Sequence, residues 1–206
     1  MERFTTLDAI ACPLGLANVD TDQLIPARFM KRSRAQGYGS FLLHDLRFDE
    51  VGLPRADFVV NDPRFADAKI VVARHNFGTG SSREAAVYAL WDYGIRCVIA
   101  PSFGDIFTSN AVKNGLLPAV VTETEAEALL AVASSHHAPR LHVDLQALTI
   151  SAGELSVAFT IDPVRRLQLL NGWDDIDLTQ RYAPDIAQFR AARIIQQPWV
   201  MPRAQA

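Results

Sequence analysis

The segment that most restricts the fold is Lys69-Ile-Val-Val-Ala-Arg74, followed at once by Asn76-Phe-Gly-Thr-Gly-Ser-Ser-Arg-Glu84. A continuous β-branched run predicts a strand buried on both faces, because a strand with one wet face alternates apolar and polar residues. The glycines break that strand. From Ser82 to Tyr93 the apolar residues Ala86, Ala89, Leu90 and Tyr93 then recur at helical spacing, with Gly94 where a C-terminal cap belongs. A doubly buried strand running into a helix needs parallel neighbours, and the chain supplies them. Residues 96–100 form a second apolar strand, Ser102 and Asp105 have capping-box spacing before a helix that stops near Gly115, and residues 116–121 form a third strand. Thr122 and Glu125 repeat the capping pattern, so 69–135 alternates strand and helix, the signature of a parallel α/β layer.

The flanks differ in character. Residues 141–151 and 155–162 alternate apolar and polar side chains around Ala152 and Gly153, which predicts an antiparallel hairpin. Asp162 with Pro163 begins a helix that Gly172 ends, and a last helix is expected from Pro184 to about Gln196. Residues 1–60 read as strands and loops. The apolar residues from Ile194 to Met201 are expected to pack back on the core, a partner contact being the alternative. With no repeat or linker, 206 residues fit a single α/β domain spanning 1–206.

Composition excludes several functions. A formal charge of −3 leaves no broad basic field for nucleic acid or an anionic membrane, and no apolar run approaches a membrane span. Cys12 and Cys97 lack a secretory signal upstream and read as reduced thiols in the cytoplasm, too few for an iron–sulfur cluster, which takes three or four. His44, His75, His136, His137 and His142 show no metal-ligand spacing, and His136-His137 fits a helix end where positive charge is favoured. No metal site is expected on this chain.

The chemistry concentrates in Asn76–Glu84. A glycine-rich loop entering a helix offers free backbone N–H groups and the positive end of the helix dipole to an anion, and Arg83 adds a guanidinium suited to a carboxylate. The plainer alternative is that Ser81 or Ser82 caps the helix. A P-loop would need a lysine, a dinucleotide fingerprint would need glycine at Arg83, and the nucleophile elbow does not match. His75 is the one histidine near Ser81 for a Ser/His pair. Upstream, Asn18-Val-Asp-Thr-Asp22 forms either Asx turns or a clamp for a catalytic arginine or histidine through Asp20 and Asp22. Four basic residues within 27–34 form either a solvated loop or a lid that carries a cation to an anionic substrate.

Residues 17–26, the 76–84 loop, Ser102-Phe-Gly-Asp-Ile-Phe107 with Asn114-Gly-Leu-Leu-Pro118, and the Asp162–Gly172 pattern together resemble the small subunits of bacterial 3-isopropylmalate dehydratases. The resemblance covers nearly the whole chain and implies a swivelling β/β/α domain of the aconitase type. It implies a hydro-lyase of leucine biosynthesis, active only with a large subunit that carries the iron–sulfur cluster, acting on a small dicarboxylate. By the same resemblance Ser81 is the base, Gly80, Ser82 and Arg83 bind substrate, Arg34 is a further substrate arginine, and Asp20 and Asp22 support them. Where the family usually reads His-Ala-Pro-Trp after the Ser-Ser-Arg-Glu string, this chain has Ala85-Ala-Val-Tyr88, and where it reads Arg-Thr-Gly this chain has Ala35-Gln-Gly37. These departures keep open a paralogue for a methylmalate, citraconate, dimethylmalate or homocitrate type of acid, or a non-catalytic regulatory subunit.

Overall fold

A computed structural model describes residues 1–135 and 139–200, so the His136-His137 helix end lies outside the described residues. The chain opens with β1 (Thr6–Pro13) and then makes two four-residue helices, α1 (Thr21–Leu24) and α2 (His44–Arg47), among short 3-10 turns. The alternating region follows as β2 (Ile70–Val72), α3 (Ala85–Tyr93), β3 (Cys97–Ala100), α4 (Asp105–Lys113), β4 (Leu117–Val120) and α5 (Glu123–Ala133). The remainder is β5 (Arg140–Asp144), β6 (Thr149–Ala152), β7 (Leu155–Ala158), α6 (Pro163–Asn171), α7 (Asp175–Gln180) and α8 (Ala183–Gln196).

Seven strands form one sheet in the order β4-β3-β2-β1-β5-β6-β7. The first four are parallel, with Ala11 opposite Ile70, Ile70 opposite Cys97 and Cys97 opposite Leu117. β5, β6 and β7 continue antiparallel. The sheet curls until its two ends meet, where Val120 and Thr160 exchange backbone hydrogen bonds of 3.1 and 2.8 Å. The expected fold class is therefore observed, a mixed sheet with parallel strand–helix units and the hairpin around Gly153.

The short parallel strands are apolar on both faces because each face has its own core. Ile70, Val72, Cys97, Ile99, Leu117 and Ala119 point into the curl, against α5 and the antiparallel strands. Val71, Val98 and Ala100 point the other way, against α3, α4 and the segment 14–68. Local signals set the helix ends. Thr122 accepts the Glu125 N–H at 3.2 Å and returns its own N–H to Glu125 Oε2 at 2.8 Å, while Asp162 accepts from Val164 and Arg165, both at 3.0 Å.

Four expectations change. Residues 14–68 are helical turns and loops, with one long strand before them. Helix α3 starts at Ala85 and not Ser82, because 81–84 stay in the loop. Ser102 does not cap α4, whose cap is Gly104; its hydroxyl instead accepts the Asn76 N–H at 2.8 Å, a tertiary bond that displaces the local one. The segment from Ile194 to Val200 does not return to the core. Among the described residues, which stop short of Met201, Leu169 is the last buried side chain, both sheet faces are already covered, and Ile195 and Trp199 are 82% and 77% exposed.

Phe77 is fully buried under the loop, edge-on to Phe107 with ring centroids 5.4 Å apart. Phe77→Ala is expected to cost about 3–5 kcal/mol, read from urea denaturation. Cys12 and Cys97 lie in the two different cores, and burial pushes the Cys12 thiol up to about 12 and the Cys97 thiol up as well. An unfolded thiol ionises near about 8.5, so stability should be whole below that pH and fall as pH rises toward about 12, where only the unfolded chain ionises. A thiol reagent should label neither cysteine in the native chain and both after denaturation.

Candidate active site

The loops leaving β1, β2 and β3 converge at the C-terminal ends of the parallel strands, the usual place for a ligand in an open α/β sheet. Backbone bonds join them, from Asn18 N–H to His75 O at 2.8 Å, Thr21 N–H to Thr79 O at 2.9 Å and Phe77 N–H to Ser102 O at 3.0 Å. Side chains repeat the connection. Asn76 donates to Asn18 Oδ1 at 2.8 Å and Ser102 donates to Asn76 Oδ1 at 3.2 Å, one polar chain across three loops. Gly78 makes the approach possible, since at φ +72° an added Cβ would stand 2.2 Å from the Phe107 ring.

This stitching brings Thr21 to Ser81. The Thr21 hydroxyl accepts the Ser81 N–H at 3.1 Å and lies 3.0 Å from Ser81 Oγ, with Ser81 O at 3.3 Å. A hydroxyl has one proton to give. With the Ser81 N–H on one lone pair, the single Thr21 proton faces two acceptors, Ser81 O and Ser81 Oγ. Thr21 is 1% exposed, whereas Ser81 is exposed, so a buried hydroxyl holds a surface one from behind. Neither Ser81 nor Ser82 caps α3, so the plainer alternative does not hold. The backbone N–H groups of Ser82, Arg83 and Glu84 make no hydrogen bond to another described residue and stand at the positive end of α3.

Arg83 forms an ion pair with Asp22. Asp20 acts differently. It caps α1, accepting the Gln23 N–H at 2.7 Å, and bridges to Thr79, so it fixes the backbone and holds no arginine. Gly80 sits at φ +97°, where an added Cβ would stand 3.5 Å from Asp20 Cβ and Thr21 Oγ1, so it is the turn rather than a clash that demands glycine. Ser82 is exposed beside them. Arg34 stands apart from this cluster: it pairs with Asp92 and lies 4.2 Å over the Tyr88 ring, along α3. Glu84 points away too, accepting from Asn114 at 2.9 Å.

His75 lines a different hollow with Arg74, Pro101, Glu123 and Glu127, His44 stacks on Phe29 and Phe48, and His142 faces Asp8. Ser81 therefore has no histidine partner among the described residues. Cys12 and Cys97 lie on opposite faces of the sheet with their thiols held protonated, so they do not fit as ligands of a cluster. Among the described residues no group of three His, Cys, Asp or Glu side chains is placed to hold a metal ion, and no helix is long and apolar enough to cross a membrane. Thr21 is the residue of this cluster that sequence reading passed over. The Asp20-Thr-Asp22 string drew attention to its carboxylates, and the hydroxyl between them gains meaning only from a partner 60 residues away.

Residues 1–124 match the family model of the aconitase C-terminal domain. The 3-isopropylmalate dehydratase small subunit of Rhodospirillum centenum is 49% identical, over 98% of this chain and 100% of its own length. That of Jannaschia sp. is 46% identical, over 97% and 100%. Among solved structures, a 3-isopropylmalate dehydratase (LeuD) of Methanocaldococcus jannaschii shares the fold at a TM-score of 0.62 and 24% identity, over 89% of this chain and 99% of that one. With three loops closing on one serine and these relatives matched from end to end, the chain belongs to the 3-isopropylmalate dehydratase small-subunit family, within the aconitases.

Proposed function

We propose that this chain is the small subunit of a heteromeric hydro-lyase that interconverts 2-isopropylmalate and 3-isopropylmalate by dehydration and rehydration, a step of leucine biosynthesis. The observation that carries the reading is the Thr21–Ser81 contact at 3.0 Å beside unpartnered N–H groups. Dehydration next to a carboxylate requires a base for the carbon-bound proton, and a serine oxygen can serve only if its negative charge is stabilised. In this reading Ser81 Oγ takes the proton. The Thr21 O–H donates to the alkoxide, and the N-terminus of α3 lowers its cost further. Arg83, aimed by Asp22, and Ser82 bind a substrate carboxylate, with Gly80 keeping the loop open to it.

The leaving hydroxyl calls for a Lewis acid, which the cluster of the large subunit supplies when bound. The exposed apolar residues of α7, α8 and the turn between them, with Ile176, Tyr182, Ile186 and Phe189 among them, fit a chain that works in a complex. We place that complex in the cytoplasm.

One observation favours a second reading of the substrate. Arg34, next to the Ala35-Gln36 departure, lies 4.2 Å over the ring of Tyr88, the last residue of the other departure. Two departures bridged by one contact fit a related acid with a different side chain, of the methylmalate or citraconate, dimethylmalate or homocitrate type.

Co-expression with the large subunit and anaerobic cluster reconstitution, followed by absorbance of the unsaturated acid, tests both. Turnover is expected only with both chains, and Ser81→Ala should lower kcat by at least about 10³-fold; unchanged turnover in that variant would leave a regulatory subunit. Thr21→Val should lower kcat by about 10²–10³-fold at nearly constant KM and move the ascending, acid-side limb of the pH profile to higher pH, while Thr21→Ser restores most of the rate. A Thr21→Val enzyme with normal kcat and an unshifted profile would remove Thr21 from the mechanism.

A further inference from the structure

At the end of the sheet opposite Ser81, where the parallel strands begin, a cavity of ≈ 190 Å³ opens between the N-terminal residues and the turns before β2, β3 and β4. Its charged lining is Arg3, Lys69 and Arg96 against the single carboxylate of Glu2, with Trp91 and Gly115 completing one wall. On a chain of net charge −3 this is a local excess of cations.

The placement of these cations is fixed by the sheet. Lys69 and Arg96 immediately precede β2 and β3, and the Arg96 N–H donates to Lys69 O at 2.8 Å, so two like charges stand at adjacent strand positions. Such a pair repels unless an anion lies between them. Among the described residues none of the three cations forms an ion pair, although Asp and Glu pair with seven other Lys and Arg side chains. Arg96 is also held rigid. One of its nitrogens donates to Trp91 O and Ile95 O, both at 2.9 Å, and its guanidinium lies 3.6 Å over the Trp91 ring. Its Nε and second terminal nitrogen are left without an acceptor among the described residues, an oriented fork of donors. Burial pulls the Arg96 guanidinium below the usual arginine value, as expected of a partly desolvated charge that lacks a bonded counter-ion.

We propose that this cavity is an anion site for a phosphate group, separate from the active site and held by Arg96, Lys69 and Arg3. Arg96 supplies the two-pronged contact, Lys69 and Arg3 the balancing charge, and Trp91 the wall that fixes the fork. A dianion suits three cations facing one carboxylate.

The test is NMR of the full-length ¹⁵N-labelled chain titrated with inorganic phosphate, and separately with glycerol 3-phosphate, at constant ionic strength against sodium chloride. Saturable shifts are expected at the Trp91 indole N–H and the Arg96 and Gly115 amides, independent of any shift in residues 80–83. A tighter response to glycerol 3-phosphate would identify a phosphate monoester as the ligand, and a tighter response to inorganic phosphate the free ion. Lys69→Gln, whose side chain has no bonded partner to lose, should weaken that binding at least about tenfold and leave the 80–83 shifts unchanged; Arg96→Gln should do the same. Shifts no larger than chloride gives, shifts confined to 80–83, or a Lys69→Gln chain that binds as tightly as the parent would overturn the proposal.

Discussion

The parallel pairing of β1 with β2 is the constraint on which the site depends. It lays Ala11, Cys12 and Pro13 beside Ile70, Val71 and Val72, so the two segments that leave these strands must run side by side. The polar contacts of the site are consequences of that geometry: Asn18 meets Asn76, Thr21 meets Ser81, and Asp22 meets Arg83. The residues that hold the serine come from the opposite side of a strand pair, so the precision of the site is that of the sheet.

Much of this was legible locally. Gly94, the Thr122–Glu125 box and the Asp162-Pro163 start with its Gly172 stop are local signals, satisfied by neighbours within one turn, and each behaves in the fold as its sequence says. That 76–84 is a loop was legible for the same reason, since its glycines end the buried strand whatever they then serve. What escaped depended on distant partners. Ser102 has the spacing of a cap and serves as a tertiary strut to Asn76, Thr21 is an ordinary threonine until Ser81 arrives, and Arg34 answers to Asp92 and Tyr88 rather than to the loop. The packing of Ile194–Val200 was misread because apolar side chains in a sequence do not say whether the core still has room for them.

The energetic cost of the site falls on backbone freedom. Asn18, Asn76, Gly78 and Gly80 all hold positive φ within the two converging loops, and Asn18 and Asn76 do so with side chains that hydrogen-bond to each other. Conformations that are individually unfavourable are thus bonded into a frame, anchored below by the Phe77, Phe103 and Phe107 cluster. A rigid frame of this kind presents its free N–H groups already oriented.

The sheet order also governs how the molecule can be made. β1 emerges first from the ribosome but lies at the centre of the sheet, with one edge waiting for β2 at residue 70 and the other for β5 at residue 140. One edge of this strand can pair once β2 is made, but the other stays open until β5 follows some 70 residues later, and the ends of the curl cannot join at Val120 and Thr160 until the segment after β7 has been made. Vectorial synthesis leaves the nascent subunit with its central strand as its most adhesive segment, a burden that chaperones would meet before any partner does.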